Sequence, residues 1–265
     1  MNPQTAIAIL WCFNNRPDQY LARVPCHSGQ PDSNHKTIES IQETAVSEKK
    51  RVVVLLSGNG SNLQALLDQE HHYSYQIVGV VSNVPEAYGL ERARQHKVAA
   101  LGLDYKIFSS RGAFDQRLVE EVNRFEPDLV VLAGYMKILS PEFVEKFAGR
   151  LINVHPSLLP EYKGLGTYRR VLADKKPRHG CTVHFVTPEL DSGAHIIQAS
   201  MSVGPGDNEE GLKQRVQAME HQIYPLAVHL ITSGRLQLKG DNVLLDDHPI
   251  DPLGYQLQEN ALELA

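Results

Sequence analysis

The chain has 265 residues, enough at about 150 per domain for one or two domains, with ordinary apolar (42%) and charged (22%) content, which excludes a wholly disordered or fibrous chain. Its 26 basic and 31 acidic residues give a net charge of −5, which argues against a broad nucleic-acid or anionic-membrane surface and leaves room for a local phosphate pocket. Apolar runs such as 52–56 fall far short of the roughly 20 residues of a membrane span, and three widely spaced cysteines, Cys12, Cys26 and Cys181, fit a reducing cytosol. Residues 1–50 read as a loose extension with a short helix over 36–48. They carry a weak transit-peptide flavour, being poor in acids up to Gln30 with Arg16 and Arg23.

From Arg51 the pattern tightens. Strands are predicted over 51–56, 76–81, 98–103, 128–133 and 151–155. Helices are predicted over 62–69, 87–96 and 113–125, with another starting at Ser140-Pro-Glu142. Continuous apolar strands alternating with helices predict an α/β fold, a Rossmann-like, mostly parallel sheet with helices on both faces. Two more strands are expected over 181–186 and 196–203 without a long helix between them. Leu212, Val216, Met219, Ile223, Leu226 and Leu230 then mark one face of a long helix. Pro225 should kink or break that helix near Tyr224, Gly234 should stop it, and 236–245 should form a hairpin around Gly240-Asp-Asn242.

Ser57-Gly-Asn-Gly-Ser-Asn62 lies between the first strand and first helix, where glycines admit an anion to backbone N–H groups and the helix dipole. The third glycine of a dinucleotide fingerprint is replaced by Leu63, the ribose-binding acid by Ser82 and Asn83, and no Walker lysine follows. A single phosphate group and a purely structural tight turn are the two readings left. Asn153 and His155, two apart at the end of a strand, face the same side at the sheet edge where such folds place ligands. An amide there suits an oxyanion and an imidazole suits proton transfer, while the 187–193 loop can bring one carboxylate to orient the histidine. His184 reads as a packing residue. No cluster has metal-ligand spacing, and no Gly-x-Ser-x-Gly elbow is present.

The glycine loop, Leu132-Ala-Gly-Tyr-Met-Lys-Ile-Leu-Ser-Pro141, Asn153-Val-His-Pro-Ser-Leu-Leu-Pro160, Leu190-Asp-Ser-Gly193 and Glu220-His-Gln-Ile-Tyr-Pro225 together resemble the phosphoribosylglycinamide formyltransferase family, over about residues 51–255. The resemblance implies the formyltransferase fold and transfer of formyl from 10-formyltetrahydrofolate, as cosubstrate, to the amine of glycinamide ribonucleotide in purine biosynthesis, without a metal. It implies that Gly60, Ser61 and Asn62 hold the substrate phosphate and that Glu220 contacts the ribose or glycinamide part. Met136, Ile138, Leu139, Phe143 and Leu190 would line the folate slot, with Lys137 between them and Arg111 near the benzoylglutamate end. Asn153, His155 and Asp191 would be catalytic. A cytoplasmic monomer or homodimer is expected, with 1–50 an extension or the product of a start placed too early, and 256–265 a tail.

Two departures stand out. Where the family usually reads Gly-x-His-x-His, this chain has Gly166 and Tyr168, and the family has no counterpart of the extension. Formyltetrahydrofolate deformylase, with the same Asn, His and Asp, has a longer N-terminal sensing domain and no such phosphate loop. A tRNA formyltransferase wants a larger, basic C-terminal domain than the roughly thirty residues after Gly234. A non-catalytic sensor has no need of the intact trio.

Overall fold

A computed structural model describes residues 48–262. The helix expected over 36–48 and the leader reading thus fall almost wholly outside the described residues. Residues 49–259 form one compact unit.

β1 (Lys50–Leu56), β2 (Tyr75–Ser82), β3 (Ala99–Gly102), β4 (Leu129–Leu132) and β5 (Leu151–His155) are the predicted parallel strands. With β6 (Arg178–Phe185), β7 (His195–Ser202) and β11 (Tyr255–Gln258) they build one eight-stranded sheet in the order β11-β7-β6-β5-β4-β1-β2-β3. Only β6 runs against the rest, pairing antiparallel with both β5 and β7. The chain reverses its direction of strand addition between β1 and β4, so their carboxyl ends, and that of β5 beside them, frame the crevice where such sheets bind ligands.

The connecting helices are α1 (Ser61–Gln69), α2 (Tyr88–Gln95), α3 (Arg111–Asn123), α4 (Pro141–Lys146), α5 (Thr167–Ala173) and α6 (Glu209–Thr232). Ser110 and Ser140 cap α3 and α4 by accepting from Ala113 and Phe143 N–H. One core layer joins Val53, Leu55, Val130 and Leu132 of the sheet to Phe114, Leu118, Phe143 and Phe147.

The structure departs from the sequence reading in three places. α6 runs unbroken through Pro225. An interior proline costs about 3 kcal/mol. Every residue from Ile223 to Val228 is buried, though, and each large side chain returns roughly 1.5–3 kcal/mol on burial. Tyr224 adds hydroxyl bonds to the carbonyls of Leu132 (2.9 Å) and Ile152 (3.3 Å), tying the helix to β4 and β5. The second departure is α5, whose seven residues carry no long apolar period. The third is at the end of the chain: residues 255–258, read as the border of a tail, form a strand parallel to β7. The expected hairpin is present as β8 (Leu236–Lys239) and β9 (Asn242–Leu245), extended by β10 (His248–Pro249) into a separate small sheet. Among the described residues no helix is long and apolar enough to cross a membrane.

Candidate active site

β5 delivers Asn153 and His155 to its carboxyl end, on the same side of the strand. The turn after it is fixed by Thr182 of β6, whose hydroxyl donates to the Ser157 carbonyl (2.7 Å) and accepts from Leu159 N–H (3.1 Å). The loop between β6 and β7 brings Asp191 back over β5. Its turn presses so closely on β6 that a Cβ at Gly193 would lie 1.8 Å from the Phe185 carbonyl oxygen, so only glycine fits. Asp191 itself sits at φ +47°, a left-handed conformation that a non-glycine residue adopts under constraint.

His155 is buried between two acceptors. Nε2 lies 2.9 Å from the Tyr162 carbonyl, which can only accept, so Nε2 carries a proton. Nδ1 lies 3.4 Å from Asp191 Oδ2, which also accepts from Gly164 N–H at 2.9 Å. A ring with a proton on each nitrogen serves both partners.

His184, read from sequence as packing, belongs to this cluster. Its Nδ1 donates to the Phe185 carbonyl (2.8 Å), so Nε2 is the acceptor for Asn153 Nδ2–H at 3.2 Å. Burial pushes its pKa down to about 4, which keeps it a neutral acceptor. Nε2 is also 3.8 Å from Asp191 Oδ1. His184 thus sets which way the Asn153 amide points, leaving its second N–H for a ligand. The alternation of β6 could have revealed it, since His184 pairs directly across from Asn153.

The glycine loop closes β1. Gly60, at φ +76°, caps α1 without a side chain, and a Cβ there would lie 2.7 Å from Gly89 Cα. The turn needs glycine for its own packing, and it leaves the first N–H groups of α1 uncapped by any side chain. Ser61 Oγ accepts from Gln217 Nε2 (2.6 Å), and Asn62 Nδ2 donates to Glu220 Oε2 (2.9 Å), so two side chains of α6 grip the first turn of α1. Beside Ser61 opens a groove of about 400 Å³, walled by Gln64, Asp68, Arg92 and His221. Glu220 is 7% exposed, and burial raises its carboxyl to about 7 against the lowering bond from Asn62.

After β4, Met136 (71%), Ile138 (68%) and, on the Asp191 loop, Leu190 (55%) are exposed apolar side chains. Ser57, which the sequence reading passed over as a ligand-shaping residue, accepts Met136 N–H on Oγ (2.8 Å). Arg111 spends one nitrogen on the carbonyls of Ile138 (2.8 Å) and Leu139 (3.0 Å), so it shapes this wall from behind. Lys137 Nζ lies 3.5 Å from the ring centre of Tyr105. Phe143 is fully buried against Phe147, ring centres 4.8 Å apart, and Leu139, at 9%, is nearly as enclosed. Helix capping draws Phe143 inward, because Ser140 starts α4 and turns its third residue onto the sheet.

Residues 50–228 match the formyl transferase family. The phosphoribosylglycinamide formyltransferase of Escherichia coli (strain K12) is 48% identical over 210 residues, covering 78% of this chain and 99% of that protein. The chain is a member of the phosphoribosylglycinamide formyltransferase family. A solved structure of the family's protein from Coxiella burnetii superposes with a TM-score of 0.77 at 42% identity, over 79% of this chain and all of that one. The trifunctional purine biosynthetic protein adenosine-3 of Homo sapiens is 42% identical over 197 residues, 74% of this chain but 19% of its own length. Among the described residues no group of three His, Cys, Asp or Glu side chains is placed to hold a metal.

Proposed function

We propose that Asn153, His155 and Asp191 carry out, in this chain, the reaction of its family: transfer of formyl from 10-formyltetrahydrofolate to the amine of glycinamide ribonucleotide in de novo purine biosynthesis. The observation that carries the assignment is the 3.4 Å approach of Asp191 to His155, with Asn153 on the same strand end. The substrate amine attacks the formyl carbon, a C–N bond forms, and the carbonyl oxygen takes up negative charge. Asn153 donates its second N–H to that oxygen. The Nε2–H of His155, held in the ground state by the neutral Tyr162 carbonyl, is drawn to the oxyanion because a charged acceptor binds it more strongly. The interaction is thereby strongest in the transition state. Asp191 supports the second imidazole proton and, through a water, passes the amine's proton to N10 of the folate. The bond from N10 to the formyl carbon breaks with its electron pair on N10, leaving tetrahydrofolate.

The uncapped start of α1 at Gly60, Ser61 and Asn62 suits the substrate phosphate, and Glu220 suits the ribose or glycinamide end. Met136, Ile138 and Leu190 offer an apolar wall for the pterin and benzoyl rings, with Lys137 and Arg111 as cations at its edge. The catalytic unit is assigned to about 51–258, with β11 as its last strand. A cytoplasmic monomer or homodimer, without nucleic-acid or membrane partners, accords with the acidic balance and sparse cysteines.

Incubation with 10-formyltetrahydrofolate, with and without glycinamide ribonucleotide, tests the reading. Tetrahydrofolate should form only when both substrates are present. Equal release without the nucleotide would mean that water is the acceptor, and no release at all would remove the catalytic assignment.

A further inference from the structure

Asn62 Nδ2 reaches Glu220 across 158 positions of sequence. When Glu220 is ionised its carboxylate can only accept from an amide, so in that state the contact presents Nδ2 of Asn62 to Glu220. The other amide atom, Oδ1, is buried with no hydrogen-bond partner among the described residues. The amide is thus held by Glu220 alone and is not turned toward the uncapped N–H groups of α1. Conversely, among the described residues Asn62 gives Glu220 its only side-chain hydrogen bond. The ionisable groups that feel Glu220 are Tyr168 of α5, Cys181 of β6 and Tyr224 of α6 itself. Burial and the carboxylate raise all three, so none is a cation and none is an anion at neutral pH. Glu220 is a buried acid with one dipole to stabilise its charge.

We propose that the Asn62 side chain is a positioning residue for Glu220, holding that carboxylate ionised and aimed at the substrate's polar, non-phosphate end, while only the backbone of Asn62 serves the phosphate. The proposal rests on the nucleotide-binding reading above. The first turn of α1 then links two recognition tasks: its main chain seats the phosphate, and one side chain sets the group that reads the rest of the nucleotide.

The test uses the full chain with Asn62→Leu, an apolar side chain of similar size, and Glu220→Gln, which keeps an acceptor for Asn62 but cannot ionise. Glu220 raised to about 7 is already half protonated near neutrality, and losing the Asn62 bond raises it further. For Asn62→Leu the acid limb of kcat/KM for glycinamide ribonucleotide should move up by about one pH unit, a roughly fivefold loss at pH 7 that approaches tenfold below pH 6 and shrinks as pH rises. A merely structural defect would not be repaired by base. The substrate amine titrates identically in both proteins and cancels in the comparison. In Glu220→Gln the limb due to this group should vanish. Inhibition by inorganic phosphate and the KM for the folate should stay unchanged in Asn62→Leu. A parallel weakening of inorganic phosphate would overturn the proposal by placing the side chain on the phosphate, and an unmoved limb would overturn it outright. Carboxyl ¹³C NMR of labelled glutamate, compared between wild type and Glu220→Gln to assign the signal, reads the titration without turnover. It separates failure here from failure of the functional reading. Should Asn62→Leu not fold, Asn62→Ser gives the same readouts, with the same outcomes deciding.

Discussion

The two ends of the site are built on opposite electrostatic terms. At the carboxyl end of β5, His155 touches acceptors at both nitrogens, Asp191 takes Gly164 N–H, and Asn153 is oriented by His184. At the first turn of α1, Glu220 has one amide, Asn62 Oδ1 has no partner among the described residues, and the helix start has no side-chain cap. The first arrangement is organised before substrate arrives, which is what stabilising a developing charge requires. The second is undercompensated, and in the proposed reading a ligand brings an anion to the helix and donors to the carboxylate. On the proposed assignment, the catalytic groups are held by protein and the binding groups are left for the substrate to satisfy.

The largest test of that contrast is at the preorganised end. His155→Asn should lower kcat by about 10²–10³ with modest change in either KM, since the lost donor acts chiefly in the transition state. Asp191→Asn should cost at least as much, and the double variant far less than the product of the two, because the pair acts as one unit. Steady-state kinetics on the four proteins, with circular dichroism as folding control, measures this. Multiplicative losses would dissolve the pair.

At the other end, binding and stability should move in opposite directions. A buried acid raised from 4.5 to about 7 is protonated in the folded chain where the unfolded chain has ionised. The penalty is absent below pH 4.5, grows up to pH 7, and is full above it. Glu220→Gln should therefore raise stability at pH 8 by as much as about 3 kcal/mol, with no gain at pH 4, while weakening the nucleotide substrate at least tenfold. Urea unfolding at both pH values checks the first and KM the second. A loss of stability at pH 8 would show Glu220 to be well compensated and erase the contrast.

The smallest expected effect concerns His184. His184→Leu leaves the Asn153 amide unsatisfied and unoriented, so stability should fall by about 1–3 kcal/mol and kcat several-fold. The wild-type histidine is depressed to about 4, so as pH falls from 6.5 toward 4 the unfolded chain takes a proton that the folded chain refuses. Acid destabilisation over that window should weaken in the variant, as thermal melts at pH 7 and 4.5 would report. Unchanged turnover would return His184 to a packing role.

Much of this architecture was legible because local rules and tertiary demands agree. Apolar runs buried on both faces read as parallel strands, Ser140-Pro141 reads as a helix start, and the two-residue spacing of Asn153 and His155 places them together. Pro225 misled because propensity is a local cost and the burial that outweighs it is not local. Phe143 lies on the inward side of its capped helix, although Met136 and Ile138 before it are exposed. His184 reads as packing because a histidine in a buried strand is usually satisfied. It is satisfied here, but by Asn153.

By itself the sequence determined the order of strands and helices up to β5, the glycine turn, the Asn and His on one strand end and the membership of a formyl-transferring family, because each is written in periodicity, backbone chemistry or contiguous motif. Only the tertiary structure decided which polar atoms are already spent. Asn62 turns to Glu220, Arg111 to the carbonyls behind Ile138 and Leu139, and His184 to Asn153, each across at least 27 positions of sequence. Hydrogen bonds between such distant residues depend on how helices pack on the sheet, and that packing is set by the whole core rather than by any local pattern.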